Sequence, residues 1–172
     1  KIFGEDGVEV SNGEVGEIVV RGPTVMGGYW QNEAATKTTI RDGWLHTGDI
    51  GTIDAEGYFY IVDRKKELIK YKGFQIAPAE LESLLLSHPA VVDAAVIPLP
   101  HEEAGEVPKA FVVLKSEAAP QEIQDFVAEK VATFKRLHAV EVVDQIPKSP
   151  SGKILRRVLV DRERKVLEQK EV

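Results

Sequence analysis

The 172-residue sequence contains no cysteine and only one methionine. Without cysteine there can be no disulfide, no thiolate metal site and no cysteine nucleophile, and this composition fits a reducing compartment. No apolar run approaches the roughly 20 residues that span a bilayer, and neither a signal peptide nor a C-terminal address is visible. We therefore expect a cytoplasmic protein without a transmembrane segment. Because the first residue is Lys1 rather than methionine, we also expect this chain to be part of a longer protein.

The charges are unevenly distributed along the chain. With 43% hydrophobic and 29% charged residues, the composition is that of a globular protein, but the net charge of −6 arises entirely within residues 1–60. In the remaining chain, cations gather in two clusters, which are Arg64, Lys65, Lys66, Lys70 and Lys72, and then Lys148, Lys153, Arg156 and Arg157. Two local cationic clusters suggest a compact polyanion such as a nucleotide or pyrophosphate. The acidic net charge argues against nucleic acid as a partner.

The pattern of apolar and turn-forming residues predicts a β-rich first part and a mixed second part. The first part contains two short strands, at residues 16–22 and 57–62. Glycine turns and a loop at residues 44–49 lie between these strands. In the second part we predict helices at 78–88, 120–131 and 154–168, with Ser151 as the N-cap of the last, and strands at 91–98, 110–115 and 139–144. The fold class is therefore α+β, with a β-rich portion followed by a small domain whose central mixed sheet of about three strands is flanked by helices.

Asp49 is the first candidate for binding chemistry. It ends the run Trp44-Leu45-His46-Thr47-Gly48-Asp49, where a carboxylate beside a glycine turn could accept hydrogen bonds from a ribose diol. The alternative is a turn aspartate that caps its own backbone, and for Asp49 considered alone this alternative is favoured.

The charged segment 63–82 is the second candidate. If residues 68–75 are extended, Lys70 and Lys72 lie on one face and Ile69 and Tyr71 on the other. Gly73 then leaves room for a ligand to approach the backbone. The alternative is a solvated edge hairpin, since lysines also blunt exposed strand edges.

Lys153 lies in the third candidate, the stretch Pro147-Lys148-Ser149-Pro150-Ser151-Gly152-Lys153-Ile154-Leu155-Arg156. This stretch fails the pattern of a phosphate-binding P-loop, because Pro147 stands where a glycine is needed and Ile154 where serine or threonine is needed. A loop stiffened by glycine and proline can nevertheless aim the Lys153 cation at a ligand outside its own domain. We interpret Arg156 and Arg157 as support for this loop or for the helix that follows it.

Together, these stretches resemble, in order and spacing, the motifs of adenylate-forming enzymes: acyl-CoA synthetases, aryl-CoA ligases, beetle luciferases and peptide-synthetase adenylation domains. Residues 16–29 are also similar to the motif that precedes them in that superfamily. The sequence of residues 69–78 is most similar to that of the 4-coumarate–CoA ligase and luciferase branch.

The resemblance implies an AMP-forming acid–CoA ligase that uses ATP to activate a small-molecule carboxylic acid, either aromatic or medium-to-long acyl, and then transfers the acyl group to CoA. By position, Lys153 would be the adenylation lysine, Asp49 and Arg64 would hold the ribose hydroxyls, and Lys66 would be the hinge. After rotation of the C-terminal domain, the catalytic Lys70 and Gln75 would contact AMP, together with two cofactor-binding residues of the same face, Lys72 and Gly73.

The resemblance also implies how the chain is organised. Residues 1–62 would be the last β-rich part of a large N-terminal domain, 63–66 the hinge, and 67–172 the mobile C-terminal domain. The rest of the N-terminal domain, with its ligands for Mg²⁺, would be missing, so we expect no metal site here and no activity from this chain alone. The alternatives left open are a carrier-protein acceptor, luciferase-type oxidation of the adenylate, and a non-catalytic nucleotide- or CoA-binding module.

Overall fold

The structure is a computed structural model that describes residues 1–170. The chain divides into two compact units, Lys1–Lys66 and Glu67–Val172. None of the helices among residues 1–170 combines the length and the apolar character needed to cross a membrane. The expected cytoplasmic location stays a prediction.

The first unit is built on an antiparallel sheet. Its strands are β1 (Ile2–Phe3), β2 (Gly16–Val20), β3 (Ile40–Arg41), β4 (Trp44–Ile53) and β5 (Phe59–Arg64). The long strand β4 pairs with β2 on one edge and with β3 and β5 on the other, and β1 extends the sheet beyond β2. A short helix, α1 (Glu33–Thr39), begins at Asn32, whose side chain accepts a hydrogen bond from the backbone N–H of Ala35.

Two features of this unit differ from the sequence-based expectation. The run from Trp44 to Asp49 is not a loop, because it forms the first half of strand β4. Helix α1 was not expected, because its sequence has no apolar periodicity. Accordingly, none of its residues is buried in the structure.

The second unit contains a mixed sheet with helices on both faces. Its strands are β6 (Ile69–Tyr71), β7 (Phe74–Ile76), β8 (Val91–His101), β9 (Gly105–Leu114) and β10 (Ala139–Val142), and its helices are α2 (Pro78–Leu86), α3 (Pro120–Ala128) and α4 (Arg156–Lys170). Strand β9 pairs with β8 antiparallel along its whole length, and its other edge carries β10 in parallel and β6 antiparallel. A 3-10 turn at Thr133–Lys135 leads into β10.

Alternating side chains of the central strands fill two cores. Val96 and Val112 point to the face covered by α2 and α3, in a cluster with Leu81 and Ile123. The intervening residues point to the opposite face, where Phe111 and Ile97 pack with Leu159 of α4. The predicted α+β fold with a mixed sheet flanked by helices is therefore confirmed.

The details of four predicted segments change. Residues 68–75 are not one extended run but a hairpin, β6–β7, so the sheet has five strands rather than about three. Ser151 is not a helix cap, because α4 begins only at Arg156. The first two predicted helices end earlier than expected, with C-caps at Ser87 and Glu129.

Candidate functional site

Asp49 and Arg64 are brought together by the first unit. They are paired residues of β4 and β5, and the Arg64 Nε donates to the Asp49 Oδ1 at 2.7 Å. The strand register thus explains why the two residues meet, although they lie far apart in sequence. The Asp49 side chain is partly exposed and the Arg64 side chain about half exposed, so both are accessible to a ligand. The alternative interpretation, a turn in which Asp49 caps its own backbone, is wrong because Asp49 lies within a strand.

Glu17 lies beside this pair and was not singled out from the sequence. Its side chain is only 7% exposed, and its Oε2 lies 3.0 Å from His46 Nδ1 and 2.9 Å from Lys65 Nζ. Burial raises the pKa of the Glu17 carboxyl, but the hydrogen bonds from His46 and Lys65 outweigh burial and hold this pKa below its ordinary value. The sequence contained one signal for the burial of Glu17. Side chains alternate between the two faces of strand β2, so Glu17 lies on the same face as the buried Val19.

Lys70 and Gln75 lie opposite each other on the β6–β7 hairpin. They are cross-strand partners, and both are exposed, whereas the neighbouring pair Ile69 and Ile76 is fully buried. Cross-strand partners project from the same face of a sheet, so the hairpin presents the Lys70 and Gln75 side chains together. The backbone N–H of Lys70 donates to Glu106 Oε2 at 2.8 Å, which fixes the hairpin to β9.

Lys72 and Gly73 form the turn of this hairpin. Their φ angles are 44° and 84°, the combination that a two-residue hairpin turn requires. Lys72 is therefore not beside Lys70 on one strand face, as an extended segment would have placed it. A Cβ added to Gly73 would meet no atom within 4 Å, so the backbone there is open to solvent and to a ligand.

Lys153 is carried by a second tight hairpin. The Ser149 N–H donates to the Lys153 carbonyl at 2.8 Å, and the Gly152 N–H donates to the Ser149 carbonyl at 2.9 Å. Gly152 has a φ of 82°, so its lack of a side chain permits this geometry. The Lys153 side chain is exposed, and no carboxylate pairs with it among the side chains that the structure describes. A lysine in this state is a mobile point charge available to an anion.

The two lysine hairpins are anchored to different ends of the β8–β9 ladder. Lys148, in the hairpin of Lys153, pairs with Asp93 at 2.6 Å, and Asp93 is the partner of Val113. Tyr71, in the hairpin of Lys70, pairs with Gly105. At about 3.3 Å per residue, the Val113 and Gly105 positions are roughly 26 Å apart along β9. The two anchors are therefore far apart within one rigid unit.

Arg156 begins helix α4 and contacts two carboxylates. Its Nη1 donates to the Glu67 carboxylate, and its Nη2 donates to Glu82 Oε2 at 2.7 Å. Arg157 is almost fully exposed and lies only 3.9 Å from Asp161 on its own helix. Of the two arginines interpreted as structural support, Arg156 makes contacts outside its own helix.

No cluster of three or more histidine, aspartate or glutamate side chains within residues 1–170 is arranged to hold a metal ion. The described residues therefore offer no ligand set that fits Mg²⁺. The expectation that Mg²⁺ ligands lie elsewhere stays a prediction.

Comparison with known proteins identifies the class to which these features belong. Residues 80–153 match the family model of the AMP-binding enzyme C-terminal domain. The fold is similar to that of ATP-bound MatB from Rhodopseudomonas palustris, with a TM-score of 0.89 and 35% identity over 96% of this chain and 33% of that one. It is also similar to the o-succinylbenzoate CoA synthetase MenE of Bacillus subtilis in complex with the acyl-adenylate OSB-AMP, with a TM-score of 0.82 and 40% identity over 92% of this chain and 33% of that one.

The chain therefore contains the AMP-binding enzyme C-terminal domain over residues 80–153 and is similar to the C-terminal part of adenylate-forming enzymes. It is 57% identical to the 4-coumarate–CoA ligase of Pinus taeda over 92% of its own length. It spans only 30% of the length of that relative. The predicted resemblance to the adenylate-forming superfamily is confirmed.

Proposed function

We propose that this chain is the C-terminal portion of an AMP-forming acid–CoA ligase and that Lys153 serves its first half-reaction. The observation that carries the proposal is the state of Lys153 within its unit. Lys109, Lys135 and Lys148 each pair with a carboxylate within 3 Å, whereas the exposed Lys153 ammonium has no such partner among residues 1–170. Its charge is thus available to a phosphate or a carboxylate from outside the unit.

In the first half-reaction, a carboxylate oxygen of the acid attacks the α-phosphorus of ATP. The bond between the α-phosphorus and the bridging oxygen of pyrophosphate breaks, and pyrophosphate leaves with the electron pair. The Lys153 ammonium stabilises the negative charge of the acid and of the phosphates, since a cation contributes most where negative charge develops in the transition state. The Asp49 and Arg64 side chains hold the ribose hydroxyls. The Asp49 carboxylate accepts hydrogen bonds from these hydroxyls, and the Arg64 guanidinium donates hydrogen bonds to them.

In the second half-reaction, the sulfur of CoA attacks the acyl carbon, the bond from this carbon to the AMP oxygen breaks, and the thiol proton passes to solvent. The exposed face of the β6–β7 hairpin serves this step. Lys70 and Gln75 contact the AMP phosphate and the acyl group, and the Lys72-Gly73 turn borders the path of the pantetheine arm. Lys66 lies at the boundary of the two units and is the hinge that exchanges the two faces.

The acid is an aromatic or medium-to-long acyl carboxylic acid. The similarity to a 4-coumarate–CoA ligase supports the aromatic choice, and it also supports CoA rather than a carrier protein as the acceptor. The proposed partners are thus ATP, the acid and CoA, with AMP and pyrophosphate as products.

The test uses a hybrid enzyme in which this chain replaces the aligned segment of the pine ligase, with the 172-residue chain alone as the inactive background. We expect Lys153→Ala to lower acyl-adenylate formation by about 10²–10³-fold, the typical cost of removing one preorganised charge donor. Transfer from preformed acyl-adenylate to CoA should be nearly unchanged in this variant. Lys115→Ala is the matched control, because Lys115 is also exposed and its side chain makes no hydrogen bond or ion pair with the side chains that the structure describes.

Two results would contradict the proposal. One is unimpaired adenylate formation by the Lys153→Ala hybrid. The other is an equal loss of adenylate formation in the Lys115→Ala control, which would mean that the overall positive charge, and not the position of Lys153, determines the rate.

A further inference from the structure

The residue before Lys66 is held firmly in the first unit. The backbone N–H of Lys65 donates to the Gly48 carbonyl at 2.8 Å, and its ammonium donates to Glu17 Oε2 at 2.9 Å. Both contacts reach strands of the same sheet, β4 and β2. The main chain and the side chain of Lys65 are therefore both fixed.

Glu17 is itself an anchored partner. Its carboxylate is almost fully buried, and its Oε1 also accepts the Gly48 N–H at 3.2 Å. A buried carboxylate that accepts several hydrogen bonds has little freedom, so it offers the half-exposed Lys65 side chain a partner in a fixed position.

The residue after Lys66 is held in the second unit. Glu67 binds the Arg156 guanidinium, which also donates to Glu82 Oε2. Glu82 is buried in α2, and its Oε1 accepts the backbone N–H of Val96 at 2.8 Å. Glu67 is thus connected through Arg156 to helix α4, helix α2 and strand β8.

Lys66 lies between these two anchored neighbours and differs from both. Its side chain is exposed, and no hydrogen bond or ion pair in the described part of the chain involves it. The boundary of the two compact units falls directly after this residue.

We propose that Glu17 and Arg156 are positioning residues that confine the rotation between the units to the backbone of Lys66. The inference rests on the proposed function, in which each half-reaction needs a different face of the second unit. A pivot of one residue lets the second unit rotate while each lysine hairpin stays within a narrow range of orientations. A looser linker would spread the orientations, and a misplacement of about 1 Å can cost on the order of 10²-fold in rate.

The test measures orientation directly, with no ATP, acid or CoA present. The 172-residue chain has no native cysteine, so spin labels can be attached at Val8→Cys in the first unit and Glu117→Cys in the second, both exposed sites. We expect Arg156→Met to broaden the distribution of distances between the labels, measured by pulsed dipolar spectroscopy. Glu17→Gln should have the same effect from the other side of Lys66.

Lys109→Met is the matched control. Lys109 also joins two carboxylates of the second unit, Glu141 and Glu163, but makes no contact with the boundary segment. This variant should leave the width of the distance distribution as in the unsubstituted chain. If circular dichroism shows that Arg156→Met does not fold, Glu67→Gln decides, since it removes one contact of Arg156 and leaves that with Glu82.

An unchanged width in the folded boundary variants would overturn the proposal. So would equal broadening in Lys109→Met, because any lost ion pair would then have the same effect. These outcomes are independent of the Lys153 test. A normal adenylation defect in Lys153→Ala with unchanged distance distributions would leave the proposed function intact and reject only the one-residue pivot.

Discussion

Gly73 and Gly152 offer a matched pair of substitutions that separates backbone strain from ligand binding. Their φ angles are 84° and 82°, and a Cβ built on either glycine would meet no atom within 4 Å. An alanine at either position therefore causes no steric clash, and its cost is that of a left-handed backbone. We expect each substitution to lower the free energy of unfolding by about 1–2 kcal/mol.

The same reasoning predicts equal thermal effects and unequal kinetic effects. A loss of 1–2 kcal/mol should lower the melting temperature by about 2–8 °C in a chain of this size. In the hybrid ligase, Gly73→Ala should mainly slow acyl transfer to CoA, because the methyl group enters the space that the proposal gives to the pantetheine arm. Gly152→Ala should mainly slow adenylate formation, because it disturbs the hairpin that carries Lys153.

Calorimetry and separate assays of the two half-reactions check these expectations. Gly22→Ala is the control, since this glycine has no positive φ and its added Cβ would also meet open space. Equal losses of both half-reactions in both variants would refute the division of labour between the two hairpins. Unchanged melting temperatures would refute the strain argument itself.

Two further predictions concern stability. Phe111→Ala should lower the free energy of unfolding by about 3–5 kcal/mol in urea titrations, because Phe111 is fully buried between the sheet and α4; a loss below 1 kcal/mol would contradict this packing. Burial raises the pKa values of the Glu17 and Glu141 carboxyls, but hydrogen bonds and neighbouring charges outweigh burial and hold both pKa values below the ordinary value of 4.5. Both groups therefore stabilise the fold above about pH 4.5, and this contribution should disappear as the pH falls further. The stability difference between Glu17→Gln and the unsubstituted chain should accordingly stay nearly constant from pH 7 to about pH 4.5 and shrink below that pH, and a difference that persists below pH 4.5 would contradict the assignment.

The regular elements of the second unit could be predicted because their sequence signals are local. Pro78 and Pro120 mark first helical turns, and both helices begin at these residues. Strand β4 was missed because its glycines resemble turn signals. Gly51 is in fact needed within the strand, since a Cβ there would lie 2.5 Å from the Tyr60 carbonyl oxygen of the neighbouring strand.

The candidate site was predicted where exposed residues occur in a recognisable run, and missed where contacts depend on the folded chain. Lys70 and Lys153 fall in such runs. Glu17 meets Lys65 across 48 positions, and Arg156 meets Glu67 across 89, so no local pattern announces either pair. The turn at Lys72 also required the structure, because a non-glycine residue with a φ of 44° is an exception that alternation does not foresee.

The arrangement of the two hairpins has a mechanical consequence for the proposed reaction. Each hairpin is fixed to the β8–β9 ladder by its own contacts, the Lys148–Asp93 ion pair at one end and the Tyr71–Gly105 pairing at the other. The ladder has a packed core on each face, with Val96 in one and Phe111 in the other, so bending it to bring the hairpins together would break both cores. If both lysines serve one bound acid, they cannot exchange places by local motion. The proposed reaction then requires the second unit to turn as a whole, and Lys66, next to the boundary, makes no hydrogen bond or ion pair in the described part of the chain.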